Sequence, residues 1–242
     1  MSRAITHTSE WNDGYLIISI LQVLLSVILI CSLPLWKKPG GNVAADQQGR
    51  ALSLKEILSL RGAKEVMLAF FCYCALEQTV GLWASSYLVV FRGISEETAS
   101  AFASLFFIGI TFGRAVNGFL TFRLTDTRLI HLGQGLILVG IILLALPISQ
   151  TAALIGFVVI GVGCAPIYPC IIHSTPEHFG KEHSQAVIGV QMASAYIGTC
   201  IMPPLFGLIA RHLAISLLPW YLLMIIGIQF FMYQRLLTVS EN

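Results

Sequence analysis

Seven long apolar runs dominate the sequence, and each contains at most one charged residue in its interior. A helix that crosses the hydrocarbon core of a bilayer needs about 20 apolar residues, because each residue adds about 1.5 Å. The runs are continuous rather than alternating, and they are longer than the roughly ten residues of a barrel strand. We therefore predict seven transmembrane helices, at residues 15–35, 66–90, 98–122, 129–147, 152–174, 185–209 and 215–235.

The composition agrees with this pattern. Charged residues make up 11% of the 242 residues, less than half of the roughly 25% that is usual in soluble domains. This excludes a water-soluble enzyme, a nucleic-acid-binding protein and a disordered chain. All six cysteines fall in predicted membrane helices, where cysteine behaves as a small apolar residue. We therefore expect no disulfide framework, no metal site and no cofactor.

The basic residues predict the orientation of the chain. Basic residues in short loops mark the cytoplasmic side of a membrane protein. Ten of the fourteen lysines and arginines fall on one side of the predicted membrane: Lys37, Lys38, Arg50, Lys55, Arg61, Lys64, Arg123, Arg128, Lys181 and Arg235. We predict a multi-pass protein of the cell (plasma or inner) membrane, surrounded by membrane lipids, with its N-terminus outside and its C-terminus in the cytoplasm.

The predicted helices divide the chain into five parts. These are an extracytoplasmic tail (1–14), a lone transmembrane helix (15–35), a cytoplasmic linker (36–65), a six-helix unit (66–235) and a cytoplasmic tail (236–242). Ser53 and Glu56 have the spacing of a capping box, which predicts a short amphipathic helix in the linker. Three crossings invert the chain, so the second triplet of the six-helix unit enters from the opposite side. Such inverted 3+3 repeats are typical of transporters, with the substrate site between them.

Glu77 is the one acidic residue that the pattern places deep in a membrane helix, since the other eleven lie in loops or tails. An intramembrane ionisable residue is a candidate functional site. We interpret Glu77 as a proton carrier that is charged when its cavity is open to water and neutral when it is occluded. Tyr73 and Gly81 lie one turn away on the same face, with Gln78 beside them. The alternative is a neutral Glu77 that only bonds a neighbouring helix.

Other polar residues and several prolines interrupt the remaining helices. Buried amides and tyrosines fit contacts between helices as well as contacts to a solute. The residues in question are Asn117, Gln134, Gln191 and Tyr196. Tyr168 and His173 lie near Pro166 and Pro169, which free backbone carbonyls and bend the helix. Bent helices around a central carboxyl predict a gated cavity.

Small residues recur at spacings that suit close helix contacts. Gly109 and Gly113 are four residues apart, and Gly156 and Gly161 are five apart. Glycines on one helix face let two backbones approach each other in a membrane. We predict tight helix interfaces at both pairs.

The stretch from Gly113 to Arg123 resembles G-R-x-x-x-G-x-L-x-D-R, a signature of the C-terminal half of major facilitator superfamily transporters. The matching residues, which we assign to a gating motif on this resemblance, are Gly113, Arg114, Gly118 and Arg123. Phe122 stands where the family has Asp, which removes the charge that the motif normally places at the cytoplasmic gate. The motif lies at the cytoplasmic end of the second predicted helix of the six-helix unit, as it does in the family.

Three further stretches resemble the fucose/glucose/galactose symporter branch of that family. The pattern Tyr73-x-x-x-Glu77-x-x-x-Gly81-x-Trp83 is similar to the branch's seventh helix, residues 161–169 to its tenth and residues 198–207 to its eleventh. The resemblance implies an all-α membrane fold of seven transmembrane helices, six of them an inverted 3+3 half of a major facilitator fold.

The resemblance also implies a function. It implies that a sugar-type small solute is moved by alternating access, with a proton as a coupling ion. On this view the substrate and proton pathway includes Glu77, Gln78, Tyr73, Trp83, Asn117, Tyr168, His173 and Gln191. A family member has about twelve helices and this sequence supplies seven. We therefore expect that it needs an N-terminal transporter half or self-association.

Three other interpretations remain open. A seven-helix receptor or sensor fits the helix count and the outside N-terminus, although every lysine lies in a loop and none can form a Schiff base inside the bundle. An intramembrane enzyme would need a nucleophile with a base or paired metal ligands, and we expect no enzyme activity. A truncated transporter without function is the third.

Overall fold

The structure is a computed structural model that describes residues 12–36, 52–146 and 149–241. Within these ranges it is helical and contains no strand. The α-helices are α1 (Asn12–Ser32), α2 (Leu54–Ser59), α3 (Ala63–Val90), α4 (Glu96–Leu120), α5 (Asp126–Ala145), α6 (Gln150–His212) and α7 (Leu218–Glu241), with 3-10 turns at Leu33–Trp36 and Ile215–Leu217. Most of the predicted N-terminal tail and the Gly-rich first half of the linker lie outside the described residues.

Six of the described helices are long and apolar enough to cross a membrane. They confirm the predicted all-α fold class. Residues 1–50 form one unit, which contains α1, and residues 51–242 form a second unit, which contains α2–α7. In α1 the hydroxyls of Ser19 and Ser26 donate to carbonyls of the preceding turn at 2.8 Å, so these two hydroxyls are satisfied within the helix, as suits a bilayer.

Helix α6 has 63 residues and contains two of the predicted membrane segments. We predicted a loop between residues 174 and 185, and this was wrong, because helix continues on both sides of one non-helical residue, Gly180 (φ 75°, ψ 156°). A side chain is strained at this positive φ, so glycine suits the turn. Thr175 and Gln191 hydrogen-bond each other at 3.2 Å, although 16 residues of straight helix would separate them by about 24 Å. The chain therefore folds back at Gly180 into two arms, α6a (150–179) and α6b (181–212).

The start of α3, the turn of α6 and the end of α7 lie at one end of the second unit. Arg235 of α7 forms an ion pair with Glu65 of α3 at 3.3 Å, and His178 lies 2.9 Å from Ser240. The turn between α4 and α5 lies there too, because Asp126 contacts His173. This end, which we call the basic end, contains six of the seven described basic residues that we predicted to be cytoplasmic: Arg61, Lys64, Arg123, Arg128, Lys181 and Arg235. The seventh, Lys55, lies on α2.

Glycines bring the helices close together. A Cβ atom at Gly133 would lie 2.6 Å from the carbonyl oxygen of Gly163, and one at Gly140 would lie 2.7 Å from that of Gly156. These pairs fix α5 against α6a. A Cβ atom at Gly113 would lie 2.5 Å from the Cβ atom of Ala165, which fixes α4 against α6a. A Cβ atom at Gly109 would lie 3.1 Å from the Val158 carbonyl oxygen, and one at Gly161 would clash with that of Phe106. The tight interfaces predicted at Gly109/Gly113 and Gly156/Gly161 are therefore confirmed.

The predicted amphipathic helix of the linker is present as α2. Ser53 caps it, and the backbone N–H of Ser53 donates to the Glu56 carboxylate at 2.7 Å. This bond holds the pKa of the Glu56 carboxyl below its ordinary value. Ile57 is buried against the unit, while Lys55 is exposed. Helix α7 extends to Glu241, so the end of the chain, which we predicted to be a tail after residue 235, is largely helical.

Candidate functional site

Glu77 lies at the middle of α3 and is not a solitary charge. Its carboxylate is 3.9 Å from the guanidinium of Arg114 on α4. The Glu77 side chain is 25% exposed and that of Arg114 is 50% exposed. Charged residues inside a membrane bundle usually pair with each other or face a water-filled space. Glu77 and Arg114 pair with each other and are both partly exposed, and they belong to two helices that are apolar enough to span a bilayer.

Tyr73 connects this ion pair to α6a. Its hydroxyl contacts Oε2 of Glu77 and lies 2.9 Å from the backbone carbonyl oxygen of Cys164. A phenol has a single proton to donate, so it cannot donate to both oxygens at once. If Glu77 is ionised, Tyr73 donates to the carboxylate. If Glu77 is protonated, the carboxyl group can donate to Tyr73, and Tyr73 is then free to donate to Cys164.

An aromatic cluster surrounds the Tyr73 hydroxyl. The ring centroid of Tyr168 lies 5.0 Å from that of Phe70 and 6.4 Å from that of Tyr73. Phe70 and Tyr73 are buried, and Tyr168 is partly exposed, with its hydroxyl 3.2 Å from the sulfur of Met192. We name Tyr73, Glu77, Arg114 and Tyr168 the Glu77 site. It draws on three helices, α3, α4 and α6a.

A polar cavity of about 540 Å³ adjoins the Glu77 site on the side of the basic end. It lies between α4, the start of α5 and α6a. Its polar lining consists of Arg114, Asn117, Thr121, Asp126, Tyr168 and His173. Arg114 and Tyr168 belong to both the cavity and the Glu77 site, so a molecule in the cavity is in reach of the ion pair.

Asn117 and His173, which both line the cavity, differ in their hydrogen-bond partners. The Asn117 side chain is buried; its nitrogen faces the sulfur of Cys170 at 3.8 Å, and its oxygen has no hydrogen-bond partner. An orphaned buried acceptor is costly unless water or a ligand donates to it. His173, by contrast, is exposed and lies 2.6 Å from the Asp126 carboxylate, and this pair lines the cavity on the side of the basic end.

Three of the residues that we predicted to belong to the substrate and proton pathway lie outside the polar cavity. Trp83 donates from its indole nitrogen to the Pro203 carbonyl at 3.0 Å and so ties α3 to α6b. Gln191 is fully buried and is bonded to Thr175. Gln78 is exposed on α3 next to Glu77. None of the three lines the polar cavity.

The four residues of the predicted gating motif also separate in space. Gly113 lies at the close contact with α6a, and Arg114 is the partner of Glu77. Gly118 lines the polar cavity, where a side chain would meet open space. Arg123 is exposed at the turn between α4 and α5. The ion pair between Glu77 and Arg114 was missed in the sequence, although two opposite charges in neighbouring apolar helices could have indicated it.

No group of three or more histidine, cysteine or acidic side chains that could hold a metal ion occurs among the residues that the structure describes. The four cysteines Cys72, Cys74, Cys164 and Cys170 are buried as free thiols. The polar groups of the Glu77 site and the cavity are the carboxyl groups of Glu77 and Asp126 and the Arg, Asn, Thr, Tyr and His side chains, which offer charge and hydrogen bonds.

Comparison with known proteins identifies the class. The family model described as Major Facilitator Superfamily matches residues 2–203 and also residues 66–240. The chain belongs to the Major Facilitator Superfamily and is a multi-pass membrane protein. It is 24% identical over 195 residues to "Bypass of stop codon protein 6" of Saccharomyces cerevisiae, an alignment that covers 72% of this chain and 38% of the yeast protein.

Solved structures show the same fold. The E. coli fucose:proton symporter FucP superposes with a TM-score of 0.64 at 18% identity, over 90% of this chain and 54% of FucP. The peptide transporter POT in complex with alafosfalin superposes with a TM-score of 0.64 at 16% identity, over 74% of this chain and 38% of that protein. The chain therefore spans between about two fifths and about half of the length of these proteins.

Proposed function

We propose that this chain forms one wall of a proton-coupled solute pathway that works by alternating access, with Glu77 as the group that exchanges the proton. The observation that supports this most directly is the ion pair between Glu77 and Arg114. Glu77 lies halfway along α3, and Arg114 lies in the second half of α4. Both side chains are partly exposed, and the pair adjoins a polar cavity of about 540 Å³. A buried pair with a purely structural role would be closed off by its neighbours.

Proton exchange at Glu77 would act on two neighbours at once. Protonation removes the charge that attracts Arg114, so the guanidinium becomes free to contact a solute in the cavity. It also lets Tyr73 change its acceptor from Glu77 on α3 to the Cys164 carbonyl on α6a. Pro166 and Pro169 follow Cys164 within five residues and weaken the helix there. Protonation would thereby be coupled to the contact between α3 and the proline-containing part of α6a.

The lining of the cavity favours a small polar solute with several hydroxyl groups. The orphan oxygen of Asn117 needs a donor, whereas Arg114 offers donors and Asp126 offers acceptor oxygens. A sugar presents both donors and acceptors, and Tyr168 supplies an aromatic ring beside the cavity. The likeness to a fucose:proton symporter is compatible with this choice, and we propose a monosaccharide as the solute class.

A second helical unit would complete the pathway. Arg114, Gln78 and Tyr196 are exposed although they lie in helices long enough to span the membrane, and polar groups are not stable against lipid. We propose that an N-terminal transporter half or a second copy covers these exposed polar side chains. In the membrane, the basic end would face the cytoplasm, as the positive-inside rule indicates.

Uptake of radiolabelled fucose into membrane vesicles from cells that express the chain tests this proposal, with vesicles from cells lacking it as the reference. We expect saturable uptake in wild type. Asn117→Val should raise KM roughly two- to tenfold, the effect of one net hydrogen bond. Thr111→Val is the matched control, because Thr111 lies on the same helix and bonds only to its own helix in this structure.

The outcomes separate the parts of the proposal. Uptake of a dipeptide instead of fucose would support the transport function but contradict the proposal that the solute is a monosaccharide. Absence of uptake for both solutes, in membranes where the chain is expressed and folded, would contradict transport by this chain alone or by a pair of its copies, and would leave the N-terminal transporter half as the required partner. An equal KM in wild type and Asn117→Val would contradict the assignment of the polar cavity as the place where the solute binds.

A further inference from the structure

His173 of α6a and Asp126 of α5 form a second polar pair in the cavity that adjoins the Glu77 site. Nδ1 of His173 lies 2.6 Å from a carboxylate oxygen of Asp126. The Asp126 side chain is 12% exposed, whereas that of His173 is 77% exposed. The carboxylate is therefore largely enclosed, while the imidazole ring reaches water.

The contact with Asp126 decides which nitrogen of His173 can exchange a proton. An ionised carboxylate only accepts hydrogen bonds, so Nδ1 carries the hydrogen that faces Asp126. Nε2 of the neutral ring is then the free base. A carboxylate in this position holds the imidazole in one tautomer and stabilises the imidazolium that forms when Nε2 takes up a proton.

Among the residues that line the cavity, His173 has the base strength that suits neutral pH. The other ionisable side chains of the lining are Arg114, Asp126, Tyr168 and Cys170. Arginine, tyrosine and cysteine ordinarily keep their protons at neutral pH, and an ionised aspartate is a weak base. Histidine ordinarily changes its charge between about pH 5 and 8. A proton that enters the cavity near neutral pH therefore has one side chain of the lining to accept it.

The cavity connects the Glu77 site to this pair. Arg114 and Tyr168 belong to the site and line the cavity. Tyr73 of the site contacts the Cys164 carbonyl, and the helical rise from residue 164 to residue 173 is about 14 Å. This distance is too long for direct proton transfer, so the proton has to cross through water. A cavity of about 540 Å³ has room for a chain of water molecules, since each takes about 30 Å³.

The other ionisable side chains around the pair come from α4 to α7 and from the turn between α4 and α5. They are Arg114 of α4, Arg123 and Arg128 on either side of Asp126 in the chain, Cys170 and Glu177 of α6a, and Tyr233 of α7. Arg123, Arg128 and Glu177 are exposed. The side of the pair that faces away from the Glu77 site is therefore the solvent-exposed basic end.

We propose that His173 accepts the proton from the Glu77 site and releases it at the basic end, with Asp126 as the positioning residue that orients the ring. This inference rests on the proposed function, in which Glu77 gives up a proton. The O–H bond of the Glu77 carboxyl group breaks, the proton moves through water, and an N–H bond forms at Nε2 of His173. That N–H bond then breaks as the proton passes to solvent, and the ring returns to its neutral state.

An upward pH jump on the purified full chain, followed by time-resolved infrared spectroscopy, tests this role. The protonated-carboxyl band that is missing in Glu77→Gln reports protonated Glu77, and its decay measures proton release. His173→Ala should slow the decay about 100-fold, because a positioned general base contributes about 10²–10⁴-fold. Asp126→Asn should slow it about tenfold, the effect of one hydrogen bond to a charged group. His183→Ala is the matched control, since His183 lies on α6b outside the cavity and should decay as wild type does.

Free imidazole distinguishes a proton acceptor from a structural contact. The His173 side chain is exposed, so added imidazole can reach the space that His173→Ala leaves. It should restore most of the lost rate in that variant and have little effect on Glu77 release in wild type. A pair that only joins α5 to α6a would not respond to imidazole.

The outcomes separate this inference from the proposed function. A Glu77 band that decays equally fast in wild type and His173→Ala would overturn the inference and leave the proton-carrier role of Glu77 intact. A slower decay that imidazole does not relieve, or one that His183→Ala shows to the same extent, would also overturn it. A wild type that lacks the Glu77 band would contradict the proposed function and this inference together.

Discussion

Glu77→Gln is expected to abolish uphill accumulation of solute while exchange of solute across the membrane survives. One positive charge that moves down a potential of about 100 mV supplies about 2.3 kcal/mol. For an uncharged solute taken up with one proton, this supports an accumulation ratio of roughly 50. Glutamine keeps the size and hydrogen bonding of the side chain but cannot exchange a proton. The accumulation ratio in Glu77→Gln should therefore fall to about 1. The ratio is measured in energised vesicles with labelled solute. Counterflow, measured in parallel, reports whether exchange of solute survives.

The matched control is Glu65→Gln. Glu65 lies on the same helix but at the basic end, where it pairs with Arg235, so its substitution should leave accumulation unchanged. Arg114→Gln should also impair accumulation, because Arg114 is the cation within reach of Glu77. Combining it with Glu77→Gln should add little, since the two groups act as a pair. Wild-type accumulation and pH dependence in Glu77→Gln would rule out the proton-carrier role.

Gly140→Val is expected to destabilise the six-helix unit by about 1–3 kcal/mol, the usual cost of overpacking a tight interior. A Cβ atom there would lie 2.7 Å from the Gly156 carbonyl oxygen and 2.6 Å from Ile160. The backbone of α6a cannot yield as a flexible side chain can. The measurement is the thermal midpoint of the purified chain in detergent.

Gly135→Ala is the control for this variant, because it lies on the same helix with open space around its Cβ position. It should raise the midpoint slightly, since alanine favours a helix over glycine by about 1 kcal/mol. Equal midpoints for Gly140→Val and wild type would show that α5 and α6a are not in close contact at this position.

The helices could be predicted from the sequence because a bilayer imposes a simple condition on them. Each needs about 20 apolar residues, and the predicted segments match α3, α4, α5 and α7 to within a few residues at most ends. The reversal of the chain between residues 174 and 185 was predicted from two separate apolar runs, but its form as two helices that meet at Gly180 was not, since polar residues around it suit a loop and a helix equally. Only the positive φ of one glycine distinguishes the two arms of α6.

The sequence allowed us to predict individual residues of the Glu77 site, but not which of them contact each other. Glu77 and Arg114 are conspicuous as charges in apolar runs, yet the sequence does not fix which faces of α3 and α4 meet. The same limit applies to Gln134 and Gln229, two amides 95 residues apart that form a pair only when α5 packs on α7. Gln191, which we expected in the pathway, is instead bonded to Thr175 across the turn of α6.

Infrared difference spectroscopy between high and low pH tests the central claim, that Glu77 exchanges a proton within the bundle, without knowledge of the solute. In wild type we predict a protonated-carboxyl band at low pH that is absent in Glu77→Gln. The band should shift in Tyr73→Phe, because that variant removes the hydroxyl in contact with the carboxyl group. Difference spectra that are identical in wild type and Glu77→Gln would contradict the claim.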